Sequence, residues 1–246
     1  MSLSIPVVIP AAGIGRRMRS DTPKQYMQIA GKPVIQHTIE RFDRHPQISA
    51  IVVVLHPDDQ RFSALDISTL TKLHVVVGGD ERVDSVLAGL RHLAIESPAA
   101  EWVMVHDAAR PCVPSADIDN LIASLESNQQ TLFDGGLLAM RVRDTMKRGQ
   151  ISTAYGNSES ISHTESREHL WHALTPQMFK LQTLIDATEI ALAEHALITD
   201  EASAMEYCNH AVALVEGSSR NIKITTPDDL KLAEFYLREE QESLCE

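Results

Sequence analysis

Three cysteines, Cys112, Cys208 and Cys245, are too few and too scattered for a disulfide framework. Their number is odd and no two form a C-x-x-C pair, so a reducing, cytoplasmic setting is expected. Long apolar runs are missing as well. Nothing reaches the roughly 18 consecutive apolar residues that suggest a membrane-spanning helix, and Met1 to Pro10 lacks the basic start of a signal peptide. Neither a membrane span nor a leader is expected. Basic charge is also scarce. Against 34 Asp and Glu there are 22 Lys and Arg, for a formal net charge of −12, which argues against a nucleic-acid partner. A phosphorylated small molecule is not excluded, because a few cations in one cleft set the field there. There is no internal repeat and no low-complexity tract. The 11 histidines show no metal-ligand spacing, so no zinc site is expected.

What is present is a series of short, β-branched apolar runs: Ile5–Ile9, Ile51–Leu55, Leu73–Val77, Trp102–Val105, Gly136–Met140 and Ala211–Val215. Such runs read as buried strands. Helical patterns lie between them, over Val34–Arg44 with Pro33 as first helical residue, and over Glu81–Ala94, Asp117–Ser127, Leu181–Glu194, Asp200–Tyr207 and Pro227–Arg238. Alternation of this kind predicts an α/β chain, a mostly parallel sheet flanked by helices on both faces. The chain, 1–246, is read as a single domain.

The polar stretch from Val142 to Arg167 breaks the rhythm. Turn chemistry at Gly149 and Gly156-Asn157, with alternating pieces at Ile151–Ala154 and Ile161–Thr164, predicts a protruding β-hairpin arm. An isolated hairpin is marginal in water, so an ordered arm needs a partner, most simply a second copy of the chain.

Three elements carry chemistry. The first strand ends in Pro10-Ala11-Ala12-Gly13-Ile14-Gly15-Arg16-Arg17-Met18. Small residues at a strand's carboxyl end let backbone N–H groups approach an anion. The segment is neither a P-loop nor a dinucleotide fingerprint, since Met18 stands at the third glycine position. Arg17 and Lys24 flank the turn; they are either solvated cations or the groups that neutralise a polyphosphate. Gly78-Gly79-Asp80-Glu81-Arg82-Val83-Asp84-Ser85 joins a strand to a helix. Its glycines suit contact with a flat base, while Asp80 is also a candidate helix cap and Ser85 a candidate solvated residue. Val105-His106-Asp107-Ala108-Ala109-Arg110-Pro111 places a carboxylate at a strand end, suited to Mg²⁺ or a substrate hydroxyl. Arg110 is a candidate phosphate contact, and His106 reads as a structural, hydrogen-bonded histidine. Thr175-Pro176-Gln177 follows a strand-like Leu170–Leu174, and Thr199 reads as a helix cap. Lys223, in Asn221-Ile222-Lys223-Ile224, reads by itself as a solvated strand lysine.

Taken together, P-A-A-G-x-G-x-R with P-K, G-G-x-x-R-x-x-S-V, V-H-D-A-A-R-P, V-x-D-T-x-K, L-W-x-x-L-T-P-Q, I-T-D-E-A-S and N-I-K-I-T-x-P-x-D-L span nearly the whole chain in order. The series resembles the 2-C-methyl-D-erythritol 4-phosphate cytidylyltransferase family. The resemblance implies a Rossmann-like fold, a homodimer held partly by the arm at about 142–167, CTP, and Mg²⁺ as cofactor. It implies a step in non-mevalonate isoprenoid precursor synthesis. By resemblance, Arg17 and Lys24 stabilise the transition state, and Arg167 and Lys223 position the methylerythritol phosphate. Thr145 and Arg110 match substrate-phosphate contacts, and Asp107 matches a ligand of hydroxyls and metal. Pro10, Ala11, Ala12, Gly13, Gly15, Gly79, Asp80 and Ser85 fall in the nucleotide-binding motifs, the cytosine pocket among them. Ala108 and Thr175 match further nucleotide or substrate contacts, and Thr199 falls in the I-T-D-E-A-S motif beside the substrate. The chain departs from the family before Arg167, where Thr164-Glu165-Ser166 replaces Thr, an aliphatic residue, then Asp or Pro. A polyol-phosphate cytidylyltransferase acting on ribitol phosphate, and a catalytically silent nucleotide-binding module, are the alternatives.

Overall fold

The computed structural model describes residues 3–13, 22–67, 69–127, 133–152 and 158–243. In chain order the elements are β1 (Ile5–Pro10), a 3-10 turn at Lys24–Tyr26, β2 (Gln28–Ile29), β3 (Lys32–Pro33), α1 (Val34–Asp43), β4 (Ile48–Leu55), β5 (Leu73–Val77), α2 (Arg82–Glu96), β6 (Trp102–Val105) and α3 (Ser115–Ser127). They continue with β7 (Gly135–Arg141), β8 (Met146–Ser152), β9 (Ser158–Glu165), β10 (Trp171–Lys180), α4 (Leu181–Ala193), α5 (Glu201–Tyr207), β11 (Val212–Glu216) and α6 (Pro227–Ser243).

Seven strands form one sheet in the order β11-β7-β10-β6-β1-β4-β5. Only β10 runs antiparallel to its neighbours, β6 and β7. The period-2 alternation expected of a strand buried on both faces is explicit in β1 and β4. Ile5, Val7 and Ile9, with Ile51 and Val53, join α1 and α3 in one core layer. Val8, Val52 and Val54 point the other way and pack with α2, α4 and α5 in the second. Helix α2 crosses β1 and β4 closely enough that a Cβ at Gly89 would meet Val8 Cγ1 at 2.6 Å and Val54 Cγ2 at 3.0 Å. This is the mostly parallel sheet flanked by helices that the alternation predicts, and the Rossmann-like fold that the resemblance implies.

Three local expectations are corrected. Pro33 is the N-cap of α1, with ψ 145°, rather than its first helical residue. Gly149 does not turn the arm: it lies inside β8, at a register shift against β9. Thr175-Pro176-Gln177 does not follow a strand but sits within β10. The expected turn at Gly156-Asn157 lies outside the described residues. Strands β8 and β9 form their own two-stranded sheet, and Ile151 and Ile161 on it are exposed.

Candidate functional site

The chain adds β4 and β5 on one side of β1 and then places β6 on the other. Ligands of open α/β sheets bind outside the strand carboxyl ends at such a switch point. A cavity lies there. Its lining comes from Pro10, Ala11, Ala12 and Gly13 after β1, and from Lys24 and Gln25 in the 3-10 turn. Gly79, Asp80, Glu81, Arg82 and Ser85 close it from the start of α2, Asp107, Ala108 and Ala109 from the end of β6, and Lys223 from the segment before α6.

Side-chain bonds hold these loops. Buried Gln25 donates from Nε2 to the Ala11 and Gly13 carbonyls, each at 2.9 Å, which fixes the turn after β1. Thr38 of α1 donates to the Ala108 carbonyl at 3.0 Å. Lys24 Nζ donates to the Ile224 carbonyl at 3.1 Å, tying the first element to the last loop.

The floor is a carboxylate ringed by cations. Asp107 Oδ1 accepts from Arg82 Nη2 at 3.3 Å, while Oδ2 stands 2.8 Å from Lys223 Nζ and 3.5 Å from Arg110 Nε. Burial alone would raise the Asp107 carboxyl, but Arg82, Lys223 and Arg110 outweigh burial and hold it well below the usual carboxylate range. Arg82 also donates to buried Glu201 at 2.6 and 3.2 Å, so it is clamped between two carboxylates. Arg110 is buried and sends Nη1 to the Asn221 carbonyl at 2.7 Å.

Behind Asp107, His106 is fully buried, and burial lowers its pKa to about 4, so the ring is neutral near pH 7. Its Nε2 faces the Arg110 carbonyl at 3.1 Å; a carbonyl only accepts, so Nε2 carries the proton. Nδ1, 3.1 Å from Thr175 Oγ1, therefore accepts the threonine proton. Thr175 Oγ1 in turn accepts from the Asp107 N–H at 3.1 Å. The structural reading of His106 holds.

Residues 5–239 match the family profile of 2-C-methyl-D-erythritol 4-phosphate cytidylyltransferase. The chain belongs to this family. Cytidylyltransferases of that name from Pseudoalteromonas atlantica and Photorhabdus laumondii are 53% and 51% identical to it, over 94% and 96% of each chain respectively. The solved 2-C-methyl-D-erythritol 4-phosphate cytidylyltransferase of Francisella tularensis is 34% identical, with a TM-score of 0.77 over 95% of this chain and 99% of that one. A solved 4-diphosphocytidyl-2C-methyl-D-erythritol synthase gives 0.79 at 34% identity, over 96% of this chain and 100% of that one.

Of the residues this cytidylyltransferase family directs attention to, Arg17 and Gly15 lie outside the described residues. Thr145 and Arg167 lie on the arm, exposed and outside the cavity lining; the Arg167 guanidinium donates to the Arg143 carbonyl. The departing residue Glu165 accepts from Arg148 across the arm at 2.9 Å. Thr175 stands one layer behind the lining, and Thr199 is exposed outside it.

Two capping expectations are corrected. Helix α2 is capped at Glu81, whose N–H donates to Asp84 Oδ2 at 3.1 Å, so Asp80 faces the cavity instead. Helix α5 is capped by Asp200, which accepts from the Ser203 N–H at 3.0 Å, rather than by Thr199. Ser85 is buried, with Oγ donating to the Glu81 carbonyl at 3.2 Å, not solvated. Lys223 is neither in a strand nor simply solvated, because it pairs with Asp107. Sequence reasoning missed Gln25, Arg82, Glu201 and Asn221. Arg82, Glu201 and Asn221 stood inside the motifs already noted, but nothing in their spacing paired them.

Among the described residues, no group of three or more His, Cys, Asp and Glu side chains forms a metal cage. No helix among them is long and apolar enough to cross a membrane.

Proposed function

We propose that this cavity transfers a cytidylyl group from CTP to 2-C-methyl-D-erythritol 4-phosphate, giving 4-diphosphocytidyl-2-C-methyl-D-erythritol and pyrophosphate, in non-mevalonate isoprenoid precursor synthesis. The observation that carries this reading is two lysines facing one cavity from opposite parts of the chain. One is Lys24, beside the small-residue segment Ala11 to Gly13; the other is Lys223, beside Asp107. The chain acts as one nucleotidyltransferase domain in the cytoplasm.

A phosphate monoester, with a second pKa of about 6, is largely dianionic at neutral pH. Its oxygen attacks the α-phosphorus of CTP in line, the new P–O bond forms as the bond to the β-phosphate oxygen breaks, and pyrophosphate leaves. No proton need be removed, which suits a cavity whose one histidine neighbour, His106, is buried and spent on structure. Catalysis is then positioning and charge neutralisation. Arg17 and Lys24 stabilise the five-coordinate phosphorus and the departing pyrophosphate. Pro10, Ala11, Ala12, Gly13, Gly15, Gly79, Asp80, Ser85 and Ala108 hold the nucleotide. Asp107 faces its hydroxyls. Arg110, Lys223, Thr175 and Thr199 serve the polyol phosphate, directly or from behind.

The donor chemistry fits Mg²⁺, which takes one or two carboxylates and fills its shell with phosphate oxygens and water. The triphosphate oxygens would hold most of its shell, because both oxygens of Asp107, the carboxylate at the cavity floor, already face Arg82, Lys223 and Arg110 and leave it a secondary ligand. Bound there, Mg²⁺ would neutralise charge on the triphosphate.

The arm carries Thr145 and Arg167, both exposed and neither in the cavity lining of their own chain. We therefore infer a homodimer in which the arm, 142–167, lies against a second copy and brings these two residues to the partner's cavity. The exposed Ile151 and Ile161 supply apolar contact area for that docking.

The deciding assay is pyrophosphate release from CTP with 2-C-methyl-D-erythritol 4-phosphate, run beside UTP, ATP and ribitol phosphate. Release confined to the first pair is the expected result; equal turnover of ribitol phosphate, or none with any pair, overturns the reading.

A further inference from the structure

We propose that Asn221 is a positioning residue, holding Lys223 in place against Asp107 from inside the protein. The inference rests on the reading of Lys223 as a polyol-phosphate contact.

Lys223 is carried by the segment between β11 and α6, which has a turn at Ser219–Arg220 but no strand or helix. Without a ladder, such a segment is fixed by individual hydrogen bonds. At one end the Ser218 N–H donates to Asp117 Oδ2 at 2.7 Å. At the other the Ile224 N–H donates to the Ala109 carbonyl at 2.9 Å. Between them Asn221 supplies the inward anchors. Its side chain is 1% exposed, and Nδ2 donates to the Thr175 carbonyl at 2.7 Å. Its own carbonyl accepts from Arg110 Nη1 at 2.7 Å.

The sheet explains why the Thr175 carbonyl is open. Pairing of β10 with β7 skips from Ala173 to Gln177, and pairing with β6 begins only at Gln177. Thr175 thus falls in a break of both ladders, and Asn221 fills the gap with a side-chain donor. Two closed circuits result, and both pass through Asn221. In one, Asp107 holds Arg110, Arg110 holds the Asn221 carbonyl, and Lys223 two residues on returns to Asp107. In the other, the Asp107 N–H binds the Thr175 hydroxyl and the Thr175 carbonyl binds Asn221 Nδ2.

A second observation separates this from plain loop packing. With Nδ2 committed to Thr175, Asn221 Oδ1 is buried with no hydrogen-bond partner among the described residues. A buried orphan acceptor opposes folding. The amide is therefore a poor choice for stability, while its one satisfied group, Nδ2, and the residue's backbone carbonyl reach Thr175 and Arg110, the partners of Asp107.

The test uses steady-state kinetics of the full-length enzyme with Asn221→Ala, Lys223→Ala and the double variant, with KM for CTP and for 2-C-methyl-D-erythritol 4-phosphate measured separately. Asn221→Ala is expected to raise KM for the polyol phosphate about tenfold and to leave KM for CTP within about twofold. In the Lys223→Ala background the same substitution should add little, because coupled residues are not additive. Asn221→Asp, which keeps the shape and swaps the donor for an acceptor, should behave as Asn221→Ala does and replaces it if that variant fails to accumulate. If Lys223→Ala raises KM for the polyol phosphate but the Asn221 effect multiplies in full on top of it, Asn221 acts elsewhere and this inference alone is lost. If Lys223→Ala leaves that KM unchanged, the reading of Lys223 is lost and this one with it.

Discussion

Lys223 Nζ and Asp107 Oδ2 stand 2.8 Å apart, joining the loop before the last helix to the end of β6. Arg82 and Arg110 reach the same carboxylate, and Glu201 accepts from Arg82. Three cations against two carboxylates leave this cluster with one net positive charge, in a chain whose formal charge is −12. A cleft on an acidic protein can thus present local positive charge to a phosphate through a few cations gathered around one carboxylate, even with Asp80 and Glu81 elsewhere in the lining.

Lys24 is expected to act on the reacting phosphorus rather than on ground-state binding. Lys24→Ala should lower kcat about 100-fold or more, in line with the loss of one preorganised charge-stabilising group. Its Kd for CTP, measured by titration calorimetry, should change far less. Near-normal turnover in this variant would remove Lys24 from the reaction.

The arm gives a genetic test of subunit sharing. If the proposed homodimer forms, mixing Arg17→Ala and Arg167→Ala subunits should regain part of the activity that each variant alone lacks, because one cavity in the mixed pair then has both intact groups. Absence of any recovery places Arg167 in the cavity of its own chain.

The Arg82–Glu201 pair links α2 to α5, with Glu201 only 4% exposed and Arg82 34% exposed. Removing one partner of a buried pair leaves an uncompensated charge, at about 3–5 kcal/mol for full burial and less where one side is partly wet. Arg82→Met should therefore lower stability to urea by about 2 kcal/mol. Adding Glu201→Leu should recover most of that loss; a double variant as unstable as the single one contradicts the mechanism.

His106 sets an acid limb to stability. Its folded pKa of about 4 lies below the ordinary 6.5, so between these values the unfolded chain binds a proton that the native ring refuses. Stability is then independent of this group above pH ~6.5 and falls as pH drops toward ~4, by on the order of 3 kcal/mol at full extent. Asp107 does not add to the loss in that window, because its folded pKa is depressed and its contribution fades only at lower pH. Urea unfolding at intervals from pH 7 to 4.5 should show this slope in the parent protein and a shallower one in His106→Gln. Equal slopes would mean the native ring titrates normally.

The sequence by itself determined the layered architecture and the order of the motifs. Each expected strand run forms a strand, but only the central ones are buried as expected: Ile5–Ile9 and Ile51–Leu55 lie between helix layers, whereas β5 and β11 stand at the sheet edges and leave Val75, Val77 and Leu214 exposed. It also placed Ala11, Ala12, Gly79 and Asp107 at strand ends, since β/α alternation dictates where strands stop. Cap positions slipped by one residue at Asp80 and Thr199, because several neighbouring polar side chains can reach the same N–H and only the backbone path selects one. Apart from Arg110, three residues away in the same motif, the partners of Asp107 were decided by tertiary structure alone. Which cations face it depends on β6 lying beside β1 and β10, and on where a strand ladder breaks at Thr175; these relations between distant segments leave no mark in the spacing of Arg82, Glu201, Asn221 and Lys223.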